Sequence, residues 1–171
     1  AGRGATTPLP HSHTAADTTP PFGALGVSVR RGRALFAATH DSLPRYAASA
    51  LRCFSCHLDE GRRAGGLSLV GAYTRFPQYR ARRARVDLIE DRVNDCFVRS
   101  MNGRAIPVSG SDMRDIVTYL AWLSRGVTVG EAMGDTVQSR SVQALATLDA
   151  DTARGAAVFT ASCARCHGAS G

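Results

Sequence analysis

The sequence predicts an all-α protein, and three observations carry that prediction. Apolar residues recur at spacings of three and four in several segments, with no βαβ pattern between them. The same pentad occurs twice, as "CFSCH" at 53–57 and "CARCH" at 163–167. Only 6% of residues are aromatic in a chain that is 44% hydrophobic, so something other than side chains is expected to fill part of the core. The length of 171 residues suits one domain, or one domain and part of another. No apolar run is long enough to span a bilayer.

The elements follow in order. Residues 1–23, "AGRGATTPLPHSHTAADTTPPFG", are rich in Ala, Gly, Thr and Pro and lack an apolar signal core, so they read as a disordered tether. His11 and His13 lie there without a third ligand and read as solvated. A helix is expected from Val27 to about His40, with Val29, Ala34, Leu35 and Phe36 as its apolar stripe. Pro44 opens a loop to the first pentad. Gly61, Gly65, Gly66 and Gly71 mark loop beyond it. A second helix is expected in "VDLIEDRVNDCFVRSMNG", with Val86, Ile89, Val93, Cys96 and Phe97 on one face and Asn102-Gly103 as the stop. A third runs from about Asp112 to Arg125, where Met113, Ile116, Val117, Leu120 and Leu123 share a face. Ser109 or Ser111 is its expected cap and Gly126 its end. Residues 127–150 have weak periodicity and read as a linker. A last helix begins near Asp151, and its Gly155-x-x-Val158-Phe159 echoes Gly32-x-x-Leu35-Phe36. Each of these precedes a pentad, which suggests two copies of one module.

The formal net charge is +7, and all 21 basic residues are arginine. The accompanying Ala and Gly abundance points to coding bias as the main source. The arginines are scattered and no recognition motif accompanies them, which argues against nucleic-acid binding.

Five cysteines first suggest two disulfides and a spare. Their spacing argues otherwise. C-x-x-C-H is the attachment pattern of c-type haem. Two thiols one turn apart reach the two vinyl groups of one porphyrin, and the adjacent histidine lies under the iron. A zinc site would need a second ligand pair, and a thioredoxin-like pair would need βαβ surroundings. Cys53, Cys56 and His57 are therefore expected to hold one haem c, and Cys163, Cys166 and His167 a second. For the far side of the first iron, residue type leaves His40, Met101, Met113 and Cys96 open. On residue type Cys96, on an apolar helix face, reads first as a small buried hydrophobe, with Met113 competing as the ligand.

Further residues narrow this. "FPQY" (76–79), Arg82, "DRVNDCFVRSMNG" (91–103) and "MRDIVTYLAWLSRG" (113–126) resemble the dihaem c-type thiosulfate dehydrogenases, periplasmic enzymes that join two thiosulfates into tetrathionate. The resemblance covers roughly residues 30–171. It implies a cytochrome c fold, with Cys96 as thiolate ligand of the first iron opposite His57. It also implies that Arg92, one helical turn before Cys96, and Arg82, in the preceding loop, surround the anionic substrate. Arg80, Arg83, Arg85 and Arg99 are substitutes for that role, and Gln78 and Tyr79 are further candidates to line the site.

The expectation is thus one complete cytochrome c domain at 24–126, a linker at 127–150 and the start of a second haem domain at 151–171. The second pentad is followed by only four residues, so its pocket is expected to be incomplete in this chain. The resemblance implies a periplasmic or otherwise extracytoplasmic thiosulfate-oxidising cytochrome that passes electrons through a second haem to an accepting cytochrome or redox complex. Any membrane association is expected to run through a partner. The alternative is a non-catalytic multihaem electron-transfer subunit of a larger redox complex.

Overall fold

The computed structural model describes residues 18–64, 67–128, 149–164 and 168–169. Most of the expected linker, together with Cys166 and His167, lies outside the described residues.

Helix α1 spans Gly23–Ala37 and begins four residues earlier than the apolar stripe suggests. Its start is set by packing rather than periodicity. Gly26 lies so close to the Pro21 carbonyl that a Cβ would sit 1.6 Å from the oxygen. The helix breaks at Ala38, and the short α2, Thr39–Ser42, follows in a new direction. That break places Thr39, fully buried, against the first pentad.

The second helix is also shorter than its periodicity suggested. Gln78–Arg80 (β1) and Arg85–Asp87 (β2) form an antiparallel hairpin with Tyr79 opposite Val86. Val86 is therefore an exposed strand residue, not part of the helical face. Helix α3, Ile89–Asp95, starts where the Asp91 carboxylate accepts the Leu88 N–H at 2.9 Å, leaving Ile89 and Val93 on its inner side. It widens into a π-type turn over Cys96–Ser100, carrying Phe97 into the core. Asn102 adopts a left-handed φ of 48°, and the Gly103 N–H returns to the Phe97 carbonyl at 2.9 Å, so the predicted stop holds.

Helix α4, Ser111–Leu123, is the longest after α1 among the described residues, and its predicted face is correct: Met113, Ile116, Leu120 and Leu123 are buried and Val117 partly so. Its N-cap is Gly110, and neither Ser109 nor Ser111 makes a side-chain cap. The extended backbone at Gly110 (φ −73°, ψ 157°) makes the turn, with its N–H bonded to Pro107 at 3.0 Å. Gly126 closes the helix at φ +75°.

The core is the crossing of α1 and α4. Gly32 permits it, because a Cβ there would lie 2.1 Å from the Asp115 carbonyl. Around the crossing pack Val29, Leu35, Phe36, Ile116, Tyr119 and Leu120, each buried side chain contributing roughly 1.5–3 kcal/mol. Arg31 pairs with Asp112 and Asp115, and Ser28 also donates to Asp115, which ties the polar edges of the two helices. Aromatic rings continue the core toward the pentad: Phe54 stands 5.6 Å from Phe36, which stands 5.1 Å from Tyr119. Trp122 stacks on Tyr119 at 5.8 Å, with the Arg62 and Arg125 guanidinium groups over it.

Helix α5, Thr152–Val158, begins at Asp151, whose carboxylate accepts the Arg154 N–H at 2.9 Å, and runs into a π-type turn over Phe159–Cys163. None of its residues is buried. Among the described residues no helix is long and apolar enough to cross a membrane.

Candidate haem and substrate site

The first pentad forms one tight turn. Cys53–Ser55 is a 3-10 turn, entered through the Arg52 N–H bonded to Ser55 Oγ at 3.2 Å. The His57 N–H bonds to the Cys53 carbonyl at 3.0 Å. This gathers both thiols and the imidazole at one place. Thr39 anchors the turn from outside: its Oγ1 accepts the Cys53 N–H at 3.0 Å and lies 3.3 Å from Cys53 Sγ. Cys53 is largely enclosed, and burial pushes its thiol up to about 11. Thr39 opposes that rise and the negative form of Cys96 adds to it. Cys56 is exposed.

His57 Nδ1 lies 2.6 Å from the Leu67 carbonyl oxygen. A carbonyl only accepts, so Nδ1 carries the proton of the neutral ring and Nε2 keeps its lone pair. A ligating histidine is oriented by this kind of bond. Burial holds the imidazole below its ordinary pKa; the Leu67 bond opposes this and the Arg92 charge adds to it. The residues therefore fit haem c. Two cysteines and a histidine share one turn, the histidine has the ligating tautomer, and apolar Leu69, Phe76 and Phe97 belong to the surrounding core.

Cys96 opens the π-type turn at the end of α3 and is half-buried. Arg92 Nη1 donates to its sulfur at 3.0 Å. Cys96 contributes to the raised pKa of Cys53 and Arg92 to the lowered pKa of His57, so both lie within electrostatic reach of the pentad. The other far-side candidates are placed differently. Met113 is buried between α1 and α4 and faces a groove with Leu25, Val29 and Val117. His40 Nδ1 lies 3.0 Å from the Ala47 carbonyl. Met101 is buried in the turn after Ser100.

The arginines sort themselves by partner. Arg83 bridges Asp87 and Asp95, Arg85 bridges Asp87 and Asp91, and Arg99 approaches Asp95 at 4.0 Å. Arg83 and Arg85 hold the hairpin to α3, whereas the Arg99 contact lies within α3 and its π-type turn. Asp87, fully buried, is shared by Arg83 and Arg85. The Arg85 bond holds its carboxyl below the usual range; burial opposes this and the Arg83 charge reinforces it. Arg80 donates to Gln78 at 3.1 Å. Gln78 is half-buried and Tyr79 exposed. Arg92 is the arginine of this group whose described bond goes to sulfur. The Arg82 side chain lies outside the described residues. Thr39, the Leu67 carbonyl and Asp87 escaped the sequence reading, since none belongs to a motif. The "RVD" following a run of arginines was the one available hint to Asp87.

Cys163 ends the turn after α5 and is half-buried. Cys166 and His167, the other members of the second pentad expected to hold haem, lie outside the described residues.

A helical core wrapped around a C-x-x-C-H turn, with the histidine oriented for iron, defines a cytochrome c domain, which implies haem c. A family model described as "SoxA/TsdA, cytochrome c domain" matches residues 32–129, more than half of the chain, and the chain belongs to that family. It is 38% identical over 156 residues to a thiosulfate dehydrogenase of Allochromatium vinosum, covering 88% of this chain and 56% of that protein. It is 34% identical over 155 residues to a thiosulfate dehydrogenase of Psychrobacter arcticus, covering 91% of this chain and 46% of that one. The chain thus spans about half the length of the curated relatives it matches. The structure resembles that of thiosulfate dehydrogenase TsdBA from Marichromatium purpuratum in its "as isolated" form. The TM-score is 0.67 and the identity 29%, over 91% of this chain and 36% of that chain.

Proposed function

We propose that the chain forms the thiosulfate-oxidising part of a periplasmic c-type cytochrome that joins two thiosulfates into tetrathionate. The observation that carries this reading is the Arg92 guanidinium hydrogen-bonded to Cys96 Sγ at 3.0 Å, beside the first C-x-x-C-H turn. The relatives that cover most of this chain are named for the same activity.

Cys53 and Cys56 would hold the haem by thioethers, and His57 and Cys96 would ligate its iron. When bound, the group supplies a one-electron sink for the electrons that sulfur gives up. The protein's own task is electrostatic. Two thiosulfate dianions repel each other, and joining them removes two electrons and forms one S–S bond without moving a proton, so no general acid or base is required. A guanidinium carries five N–H donors; the bond to Cys96 orients that sulfur and leaves others for sulfonate oxygens. Arg82 is proposed as the second cation. The hairpin that carries it is braced to α3 by Arg83 and Arg85, leaving those two neutralised by carboxylates.

The remaining parts of the proposal concern the second pentad. Cys163, Cys166 and His167 would hold a second haem that relays electrons to an accepting cytochrome or redox complex. The domain boundaries of 24–126 and 151–171 are proposed with it.

The test is a stopped-flow visible spectrum of the oxidised, haem-loaded chain mixed with thiosulfate, beside Cys96→Ala and Arg92→Ala variants. Fast haem reduction in the parent is expected. It should be lost in Cys96→Ala and slowed about a hundredfold in Arg92→Ala, the typical cost of one removed donor at a developing charge. No reduction in a fully loaded parent overturns thiosulfate oxidation and leaves the electron-transfer subunit.

A further inference from the structure

Three buried polar side-chain atoms have no hydrogen-bond partner among the described residues: Ser49 Oγ, Arg75 Nε and Trp122 Nε1. Two belong to neutral groups. Arg75 is a cation, and burying part of a charged group without a partner costs far more than burying a hydroxyl or an indole N–H. Six other described arginines have carboxylates within 4.0 Å: Arg31, Arg33, Arg62, Arg83, Arg85 and Arg99. No described carboxylate is paired with Arg75.

Its position is tightly set. Arg75 ends the 3-10 turn Tyr73–Arg75. The turn is tied to the end of α4 by the Tyr73 N–H, bonded to Ser124 Oγ at 3.1 Å. Thr74 is buried and donates to the Gly71 carbonyl at 2.9 Å. The same stretch begins at Leu67, whose carbonyl orients His57, and Leu69 and Phe76 on either side of the turn pack against the core. One segment, 67–76, therefore both orients the iron ligand and carries an unmatched cation inward.

Haem c brings two propionate carboxylates into a largely apolar pocket, and these need charge neutralisation as much as Arg75 does. We propose that Arg75 is a haem-carboxylate-binding residue, its buried Nε–H donating to a propionate of the haem held by Cys53, Cys56 and His57. The planar guanidinium matches a carboxylate in a way a lysine ammonium does not. Hydrogen bonding and nearby charge are among the protein's levers on haem potential, and a cation beside the propionate favours the ferrous state. The proposal rests on the haem alone and not on thiosulfate oxidation.

The test is a spectroelectrochemical titration of the full-chain holoprotein without thiosulfate, for the parent, Arg75→Gln and Arg75→Lys. Arg75→Gln is expected to lower the midpoint potential and shift the propionate-bending band in resonance Raman spectra, with Arg75→Lys recovering part of the potential. A loaded Arg75→Gln variant with unchanged potential and band overturns the proposal. So does an unchanged potential with weakened thiosulfate binding, which would assign Arg75 to the substrate anion. Should Arg75→Gln not load haem, the ferric parent with labelled arginine decides. Its Arg75 Nε–H, assigned by its loss in Arg75→Lys, is expected to be protected from exchange and paramagnetically shifted. A freely exchanging, unshifted Nε–H overturns the proposal.

Discussion

The two G-x-x-[LV]-F segments form the same local structure in opposite surroundings. Gly32, Leu35 and Phe36 lie in α1, with Leu35 and Phe36 buried and Gly32 pressed on the Asp115 carbonyl. Gly155 and Val158 lie in α5, where a Cβ on Gly155 meets nothing within 4 Å and Val158 is 52% exposed. The same pattern makes a helix in both places. What differs is the chain that packs against it. After the first pentad come the Leu67 carbonyl, Arg92, Cys96 and α4, and together they turn a local pattern into a candidate site. A C-x-x-C-H supplies the attachment chemistry, whereas distant segments supply ligand orientation and charge.

The largest expected effect separates the two pentads. Replacing Cys53 and Cys56 by Ala together should remove the haem of the folded domain and collapse its cooperative unfolding. The same change at Cys163 and Cys166 should leave the main thermal transition in place. Pyridine haemochrome absorbance and calorimetry read both, and a shared loss of the transition would break the contrast.

Next come the glycines. Gly32→Ala must push a Cβ into backbone that cannot rotate away, at a cost of about 3 kcal/mol in denaturant unfolding. Gly155→Ala should gain up to about 1 kcal/mol of local helix stability and leave the main transition unmoved.

A smaller effect is expected in acid. Glu60 accepts from Arg33 and Arg62. Burial raises its pKa, but the two guanidinium groups outweigh that and hold it below the ordinary value. A folded-state pKa below the unfolded one stabilises the fold above the unfolded pKa of about 4.3, and the contribution disappears as pH falls through the folded value. Glu60→Gln should therefore lower the urea midpoint near neutral pH and flatten its decline in acid. An equally steep acid limb in the variant would remove Glu60 from the account.

The smallest change is Asp151→Ala. Removing the cap should cost about 1 kcal/mol of α5 stability. It should appear as faster amide exchange in residues 152–158 with no shift of the main transition.

Much of the fold was legible because it is periodic. The buried face of α4, the start of α5 near Asp151 and the stop at Asn102-Gly103 depend on neighbours a few residues away. The misreadings come from longer-range competition. Val86 carries the right spacing for a helix, but the hairpin pairs it with Tyr79 instead. Ser109 and Ser111 are good capping residues, but the turn from Pro107 leaves Gly110 at the cap.

The sequence by itself marked the candidate attachment turns, because two thiols and a histidine one turn apart are a local fact of spacing. It also determined that helices form around Val29, Val93, Ile116 and Gly155 and that α4 turns Met113, Ile116, Leu120 and Leu123 inward, but it put Val86 and Ala34 on inner faces where the structure exposes them. Only the tertiary structure decided that His57 keeps Nε2 free, that Arg92 reaches the Cys96 sulfur while Arg83 and Arg85 are neutralised by carboxylates, and that Arg75 points a buried donor at no protein partner. The reason is that an arginine's charge looks the same at every position along the chain. Its role depends on which acceptors, from segments far away in sequence, arrive within hydrogen-bonding distance when the core closes.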